Sequence, residues 1–381
     1  MKLSTLKTIA ITSLATMMLG SVGIAQADNM TQTEAQAQIA KIGQALKGLT
    51  HNPLPDTCVD CVADGSNAYP FDLEAITNTR RINAPSKAPS VVPGCDPLPE
   101  FNFIGVDDQG LNNSDFFVMD LTVPEGNPRF IDYLTNGRHE GYDLEGLDST
   151  NSPFASCLWA TSGDNDDQRD NSECETGCLY KVHKTDGSLN LYGDICTEDA
   201  DLVEVDAAAF RVNNNLGWQE LWGWAQHQGL FQMANPFPRS GMCGDGRTEP
   251  AIGVNMVCEY SADEPTSEPD KNKFNDLVVE DMTWVQNQGK FYIAIDQAIF
   301  TINPEGCGYD FVCINQTEIE GLEYLPDYEL LAVGLHSPDG VQGQNAVAAI
   351  ALEDPTKNGV FCKLLPTNFP MRKDVEGLAY P

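Results

Sequence analysis

The sequence predicts an all-β fold, a β-propeller built from four-stranded blades, and three observations carry that expectation. One segment is written twice: residues 219–234 read QELWGWAQHQGLFQMA and residues 279–294 read VEDMTWVQNQGKFYIA, matching at Glu, Trp, Gln, Gln, Gly, Phe and Ala. Fainter copies stand as YDLEGLDS (142–149), IEGLEYL (319–325) and VEGLAYP (375–381). From Phe101 onward, short β-rich runs alternate with Gly, Pro, Asn and Asp, with no helical stretches between them. Internal self-similarity at this spacing signals a solenoid, a propeller or an array. Strands without intervening helices exclude a TIM barrel or a helical solenoid.

The clearest unit is Ile319–Leu325, Tyr328–Leu335, Ala346–Leu352 and Val360–Leu365, which reads as four strands and matches the content of one blade. After it VEGLAYP begins a further first strand and the chain stops at Pro381. Three runs at Phe101–Val106, Phe116–Val123 and Phe130–Leu134 have no EGL strand of their own. The two ends are therefore expected to share one blade, which closes the ring and leaves no long open edge. Taking Glu145, Glu220, Glu280, Glu320 and Glu376 as equivalent first-strand positions gives five blades; LVEVDAAAFRV (202–212) allows a sixth, led by Glu204. Thr185-Asp186-Gly187 reads as a hairpin turn, and Gly229 and Gly289 as turn residues.

Ahead of the propeller region, 100–381, two segments are expected. Residues 1–27 carry Lys2 and Lys7, an apolar stretch from Ile9 to Ile24 and Ala25-Gln26-Ala27, the features of a secretory signal peptide with its cleavage site. Residues 28–99 read as an arm: a short amphipathic helix within Thr31–Leu49, with Ile39, Ile42 and Leu46 at helical spacing, then a proline-dense stretch containing Cys58, Cys61 and Cys95. Twelve cysteines in an exported chain predict a disulfide-stabilised fold. The expected short-range pairs are Cys174 with Cys178, Cys243 with Cys258, and Cys307 with Cys313. A net charge of −34 argues against nucleic acid and anionic membranes as partners, and no later segment is apolar for long enough to span a bilayer. Localisation is accordingly expected to be exported, periplasmic or extracellular.

The repeated glutamates are the candidate chemistry. In a strand, residues two apart share a face, so the aromatic four residues after each glutamate (Trp224, Trp284, Tyr324, Tyr380) lies on its side. On innermost strands, Glu145, Glu220, Glu280, Glu320 and Glu376 would ring one mouth of the channel and repel unless protonated or neutralised by a cation. Ca²⁺ is the expected ion, since hard cations take oxygen ligands. The competing reading gives each glutamate a repeated packing task, such as accepting backbone N–H groups from the next blade. Asp164, Asp166, Asp167 and Asp170 form a second oxygen-rich loop, which departs from the EF-hand template because Arg169 stands where glycine is needed. Asp107, Asp108 and Asp115 form a weaker cluster. His139 and His227 are candidate general bases at the mouth. No G-x-S-x-G, H-E-x-x-H or P-loop motif occurs.

The EGL strands, VEGLAY above all, resemble those of secreted bacterial β-propellers of the SdiA-regulated and esterase-like phytase families, and more distantly the gluconolactonase and paraoxonase group. In that last group a first-strand glutamate contributes to a catalytic divalent-metal site, so the resemblance implies this role for Glu145, Glu220, Glu280, Glu320 or Glu376. The matching covers a few residues per blade, and the Asn and Asp ligand motifs of those enzymes are not evident. Two functions follow as expectations. One is an exported acidic propeller that binds Ca²⁺ and presents a mouth or loop site to a small-molecule ligand, polymer or surface partner without catalysis. The other is a metal-dependent hydrolase of an ester, lactone or phosphoester.

Overall fold

A computed structural model describes residues 30–53, 102–108, 113–120, 129–149, 158–162, 177–196, 205–213, 218–226, 228–233, 251–260, 277–336, 345–365, 369–370 and 374–380. The expected signal peptide, the arm beyond Pro53, the loop bearing Asp164, Asp166 and Asp170, and His227 lie outside those residues. A helix, α1 (Gln32–Leu46), and a short strand, β1 (Leu49–His51), precede the ring. Three strands follow: β2 (Asn102–Asp108), β3 (Asn113–Asp120) and β4 (Arg129–Glu140). The first complete blade is β5 (Leu144–Ser149), β6 (Leu158–Ser162), β7 (Cys178–Val182) and β8 (Leu189–Cys196). The second is β9 (Val205–Asn213), β10 (Trp218–Ala225), β11 (Gly229–Met233) and β12 (Ala251–Tyr260). The third is β13 (Asp281–Val285), β14 (Lys290–Ile295), β15 (Ala298–Asn303) and β16 (Gly308–Ile314).

The fourth blade is β17 (Glu318–Leu325), β18 (Leu330–His336) and β19 (Ala346–Ala351), closed by β22 (Phe369–Pro370) after an excursion through β20 (Thr356–Lys357) and β21 (Phe361–Cys362). The fifth is composite: β23 (Asp374–Ala379) is innermost and β2, β3 and β4 lie outside it. Chain ends thus meet in one blade, as expected. The innermost strands β5, β9, β13, β17 and β23 touch in that order, and β23 returns to β5. The fold is therefore a five-bladed propeller, and the Leu202–Val212 stretch is no sixth blade. It supplies β9, the inner strand of the second blade, which moves QELWGWA outward to β10.

Burial explains the strand sequences. A middle strand is covered by neighbouring blades on both faces and reads as a continuous apolar run, as in FYIAI of β14 and AVAAI of β19, which are fully buried. The outermost strand of the third blade, β16, instead mixes exposed and half-buried residues until Cys313 and Ile314. Phe231 and Phe291 are fully buried in separate cores between blades, as their repetition suggested.

The rim is tied between blades. β8 and β12 pair in parallel across the first and second blades. Cys258 on β12 bonds Cys307 in the β15–β16 turn, and Cys313 on β16 bonds Cys362 on β21. These pairings replace the expected Cys243–Cys258 and Cys307–Cys313. Cys307 precedes β16 and Cys313 stands near its far end, roughly 20 Å apart at strand rise, far beyond the reach of one bridge. Helix α1, capped by reciprocal Thr31 and Glu34 bonds, buries Ala35, Ile42 and Leu46 against the second and third blades. Among the described residues no helix is long and apolar enough to cross a membrane. Each bridge closes a chain separation of 49 residues. Replacing Cys258 and Cys307 by serine should lower unfolding free energy by ~4 kcal/mol on loop-closure grounds, visible as a lower urea midpoint.

Candidate metal centre

Each EGL strand breaks register at its acid. On β5 the pairing passes from Leu144 to Leu147, skipping Glu145 and Gly146. On β17 it passes from Ile319 to Leu322, skipping Glu320 and Gly321, and on β23 Glu376 is skipped between Val375 and Gly377. Strand β9 does the same, because Ala207 pairs Trp224 and Val205 pairs Ala225 while Asp206 has no opposite residue. A bulge of this kind turns a side chain out of the ladder. The glycine has a packing reason: a Cβ on Gly377 would sit 2.3 Å from the Glu145 carbonyl oxygen, and one on Gly146 would sit 2.7 Å from the Ala208 nitrogen. Inner strands approach too closely there for a side chain. Four acids, Glu145, Asp206, Glu320 and Glu376, thus leave their ladders at the same point in four blades, and Glu280 precedes β13 at the corresponding place in the fifth.

A second tier comes from acids two residues upstream and from neighbouring turns. Glu318 and Asp374 stand two before Glu320 and Glu376, so they share a strand face with them. Asp296 lies in the β14–β15 turn, and His336 ends β18 opposite Glu318. Three groups of side chains place one ligand atom each within 4.8 Å of one another: Glu318, Glu320 and His336; Glu280, Asp296 and Glu318; and Glu320, Asp374 and Glu376. They overlap at Glu318 and Glu320 and so form one continuous cluster. His336 is bonded through Nδ1 to Glu320 Oε1, with Nε2 3.1 Å from Asp374 Oδ2. Glu320 Oε2 is buried with no hydrogen-bond donor among the described residues.

Crowding and burial make these carboxyls hard to ionise. Burial pushes Glu320 up to about 11, with Asp374, Glu280 and Glu318 adding repulsion. Glu280 rises to about 8, again chiefly by burial, then through Asp206, Glu318 and Asp296, with His336 opposing. Glu145 lies well above the usual carboxylate range because it is buried and faces Asp206, Asp143 and Glu376. Without a cation, neutral pH leaves protons in the ring. A divalent ion would displace them.

The packing task envisaged for the repeated glutamates is performed by other acids further into the channel. Asp148 accepts Phe210 N–H from the next blade at 2.5 Å. Asp281, fully buried, accepts Met282 N–H at 2.8 Å and Leu322 N–H at 2.7 Å, and also a backbone bond from Leu378. Glu323 accepts Tyr380 N–H at 3.1 Å and the Thr283 hydroxyl at 3.2 Å. These three hold the inner strands together.

The sequence-predicted residues divide accordingly. Glu145, Glu280, Glu320 and Glu376 stand at the mouth; Glu220 does not. It lies on β10, a second strand, which runs opposite to β13 in an up-and-down blade, so Glu220 occupies the far end and accepts Trp222 Nε1 at 3.3 Å. Asp206 takes its place in the ring. His139 is on β4, the outermost strand of its blade, with Nε2 2.8 Å from the Gly187 carbonyl and its ring edge-on to Phe116 and Tyr142; burial holds its basicity down. It fastens the fifth blade to the first. Asp107 is buried and accepts the Tyr133 hydroxyl at 2.7 Å, opposite Asp115 in the ladder. Trp224, Trp284 and Tyr324 are buried packing residues.

Fold and site together define a five-bladed propeller with an acid-lined mouth. No known protein family matches the chain, and no characterised protein matches it in sequence.

Proposed function

We propose that this is an exported propeller whose acidic mouth binds a divalent cation, Ca²⁺, and through it an oxygen-bearing ligand such as a carboxylate, phosphate or polyol on a small molecule, polymer or surface. The observation that carries the reading is the concentration of Glu280, Asp296, Glu318, Glu320, Asp374 and Glu376 at one mouth, with metal-ligand spacing. Both nitrogens of His336 face carboxylates, so the donors offered to an ion are oxygens, which favours a hard cation. Glu320, Asp374 and Glu376 would be its nearest ligands, with His336 fixing the first two in orientation. Inter-blade disulfides and a leader-like first segment support export. After chelation and dialysis, millimolar Ca²⁺ should raise the melting temperature by about 5 °C if it reaches a hundredfold excess over its dissociation constant. An unchanged melting curve would contradict the proposal.

One observation favours a second reading, a metal-dependent hydrolase. The Glu320 carboxylate, held in place by His336 beside a cation, could take a proton from bound water. Hydrolysis of aryl esters, lactones or phosphoesters that vanishes on chelation and in His336→Ala would support it. Activity absent from the whole panel with Ca²⁺ present would exclude those substrates.

A further inference from the structure

At the end of β9 away from the acidic mouth there is a second, separate cavity of about 270 Å³ between the second and third blades. Arg211 stands five residues beyond Asp206, roughly 16 Å along the strand at ~3.3 Å per residue. The cavity is walled by His51 at the end of β1 and Pro53 after it, Arg211, Glu220 and Trp222 on the second blade, and Glu305 in the β15–β16 turn. These walls are fixed to one another. Asn52 N–H donates to the Val257 carbonyl at 2.7 Å, and the Cys258–Cys307 bridge joins β12 to the turn that carries Glu305.

Arg211 is the unusual element. In a chain with 56 acidic and 22 basic residues, its guanidinium lies 5.4 Å from the Trp222 ring centre and 5.0 Å from that of Trp284. Its nearest carboxylate is Glu305, at 3.7 Å and with a side chain 79% exposed, which is beyond hydrogen-bonding distance. Its Nε is buried without a hydrogen-bond partner among the described residues. A guanidinium offers five N–H donors in a planar fork that matches a carboxylate. Contact with the two indoles fixes the plane of that fork, with Nε unpartnered among the described residues.

Among the described lining residues the cavity also carries the opposite charge: Glu220 and Glu305 beside Arg211, with His51 as the one other titratable group. A simple anion would meet these carboxylates as well as the overall negative field, and a simple cation would meet Arg211. We propose that the cavity binds a small zwitterion of the α-amino-acid type, with its carboxylate on Arg211 and its ammonium toward Glu220 and Glu305. The volume suits this class, falling just below the ~300–1,000 Å³ of sites for drug-sized ligands. Opposite charges at the two ends would set its orientation. This site is independent of the cation centre and stands or falls separately.

Titration calorimetry on the full chain tests the inference, using glycine, L-alanine, L-serine, L-glutamate and L-lysine against propionate and propylamine as half-ligands. At least one amino acid should give saturable heat below 10 mM while both half-ligands give none. Arg211→Gln should weaken that binding at least tenfold. Glu305→Gln, an exposed change that leaves the fold intact, should weaken it severalfold, which keeps the test decisive if Arg211→Gln fails to fold. No heat from any amino acid, equal binding of propionate, or binding unchanged in Glu305→Gln would overturn the proposal.

Discussion

Asp281→Ala should cost ~3 kcal/mol or more of unfolding free energy, the largest effect expected of any single substitution in the ring. Its carboxylate accepts N–H groups of Met282, Leu322 and Leu378, from three different blades, at a fully buried position. Each buried donor left without a partner costs about 1–3 kcal/mol, and alanine removes every acceptor while opening a small cavity. Asp281→Asn should be milder, because one of its two heteroatoms still accepts. Urea unfolding of the three proteins checks this: alanine and asparagine equal to each other and within 1 kcal/mol of the parent would mean the inner strands are held by packing alone.

Changing Glu280 and Glu320 together to glutamine should act in opposite directions with and without metal. In the metal-free protein both carboxyls titrate well above their unfolded range, Glu280 at about 8 and Glu320 at about 11. The folded state then binds more protons than the unfolded one between roughly pH 4.5 and 8, so stability is full below that window and falls as pH rises through it. Glutamine removes this penalty. The metal-free double variant should melt higher than the parent at pH 8 and lose part of the parent's fall between pH 5 and 8, the rest belonging to Glu145, Asp148, Asp281, Glu318 and Glu323. It should also lose the Ca²⁺ response if the proposed cation site is formed by this cluster, since two of its acids are gone. Conversely, Ca²⁺ should stabilise the parent more at pH 8 than at pH 5, where protons compete for the same oxygens. A double variant that melts lower than the parent without metal would mean these acids are structural.

Much of the architecture was legible because a blade has few ways to hide its apolar runs. The three strands of Ile319–Leu352, the shared blade of the two ends and the Thr185-Asp186-Gly187 turn, where Gly187 has φ +81°, all follow from local pattern. The expected fourth strand at Val360–Leu365 does not close its blade, because β21 within it pairs with β16 of the third blade and β22 takes its place. The twice-written segment misled in one respect. Both copies are hairpins with the same turn, closed by Gly229 and Gly289, yet one is β10–β11 and the other β13–β14. A hairpin is stable wherever both its faces are covered, so one sequence serves two radial positions. Shifting by one strand in a meander reverses direction, which is why Glu220 and Glu280 stand at opposite ends.

Asp206 carried no EGL signal, because VDAAAF has alanines where β5, β17 and β23 have Gly-Leu, and Glu204 is the acid nearest the expected first-strand position. The second tier had a readable signal, an acid two residues before the first: Asp143 before Glu145, Glu318 before Glu320, and Asp374 before Glu376. Residues two apart in a strand face one way, so the pattern doubles the charge at one mouth. Asp296 and His336 had no such signal. They arrive through a turn and a strand end whose position depends on blade packing, and the long-range disulfides are set by the same inter-blade contacts.

The central claim is that this mouth holds a divalent cation, and calorimetric titration of Ca²⁺ into chelator-stripped protein at pH 7.5 tests it most directly. The account predicts saturable binding accompanied by proton release, seen as a heat that depends on the buffer, and no binding to the Glu280→Gln, Glu320→Gln double variant. Absence of binding to the parent, or binding of equal strength to the double variant, would contradict it.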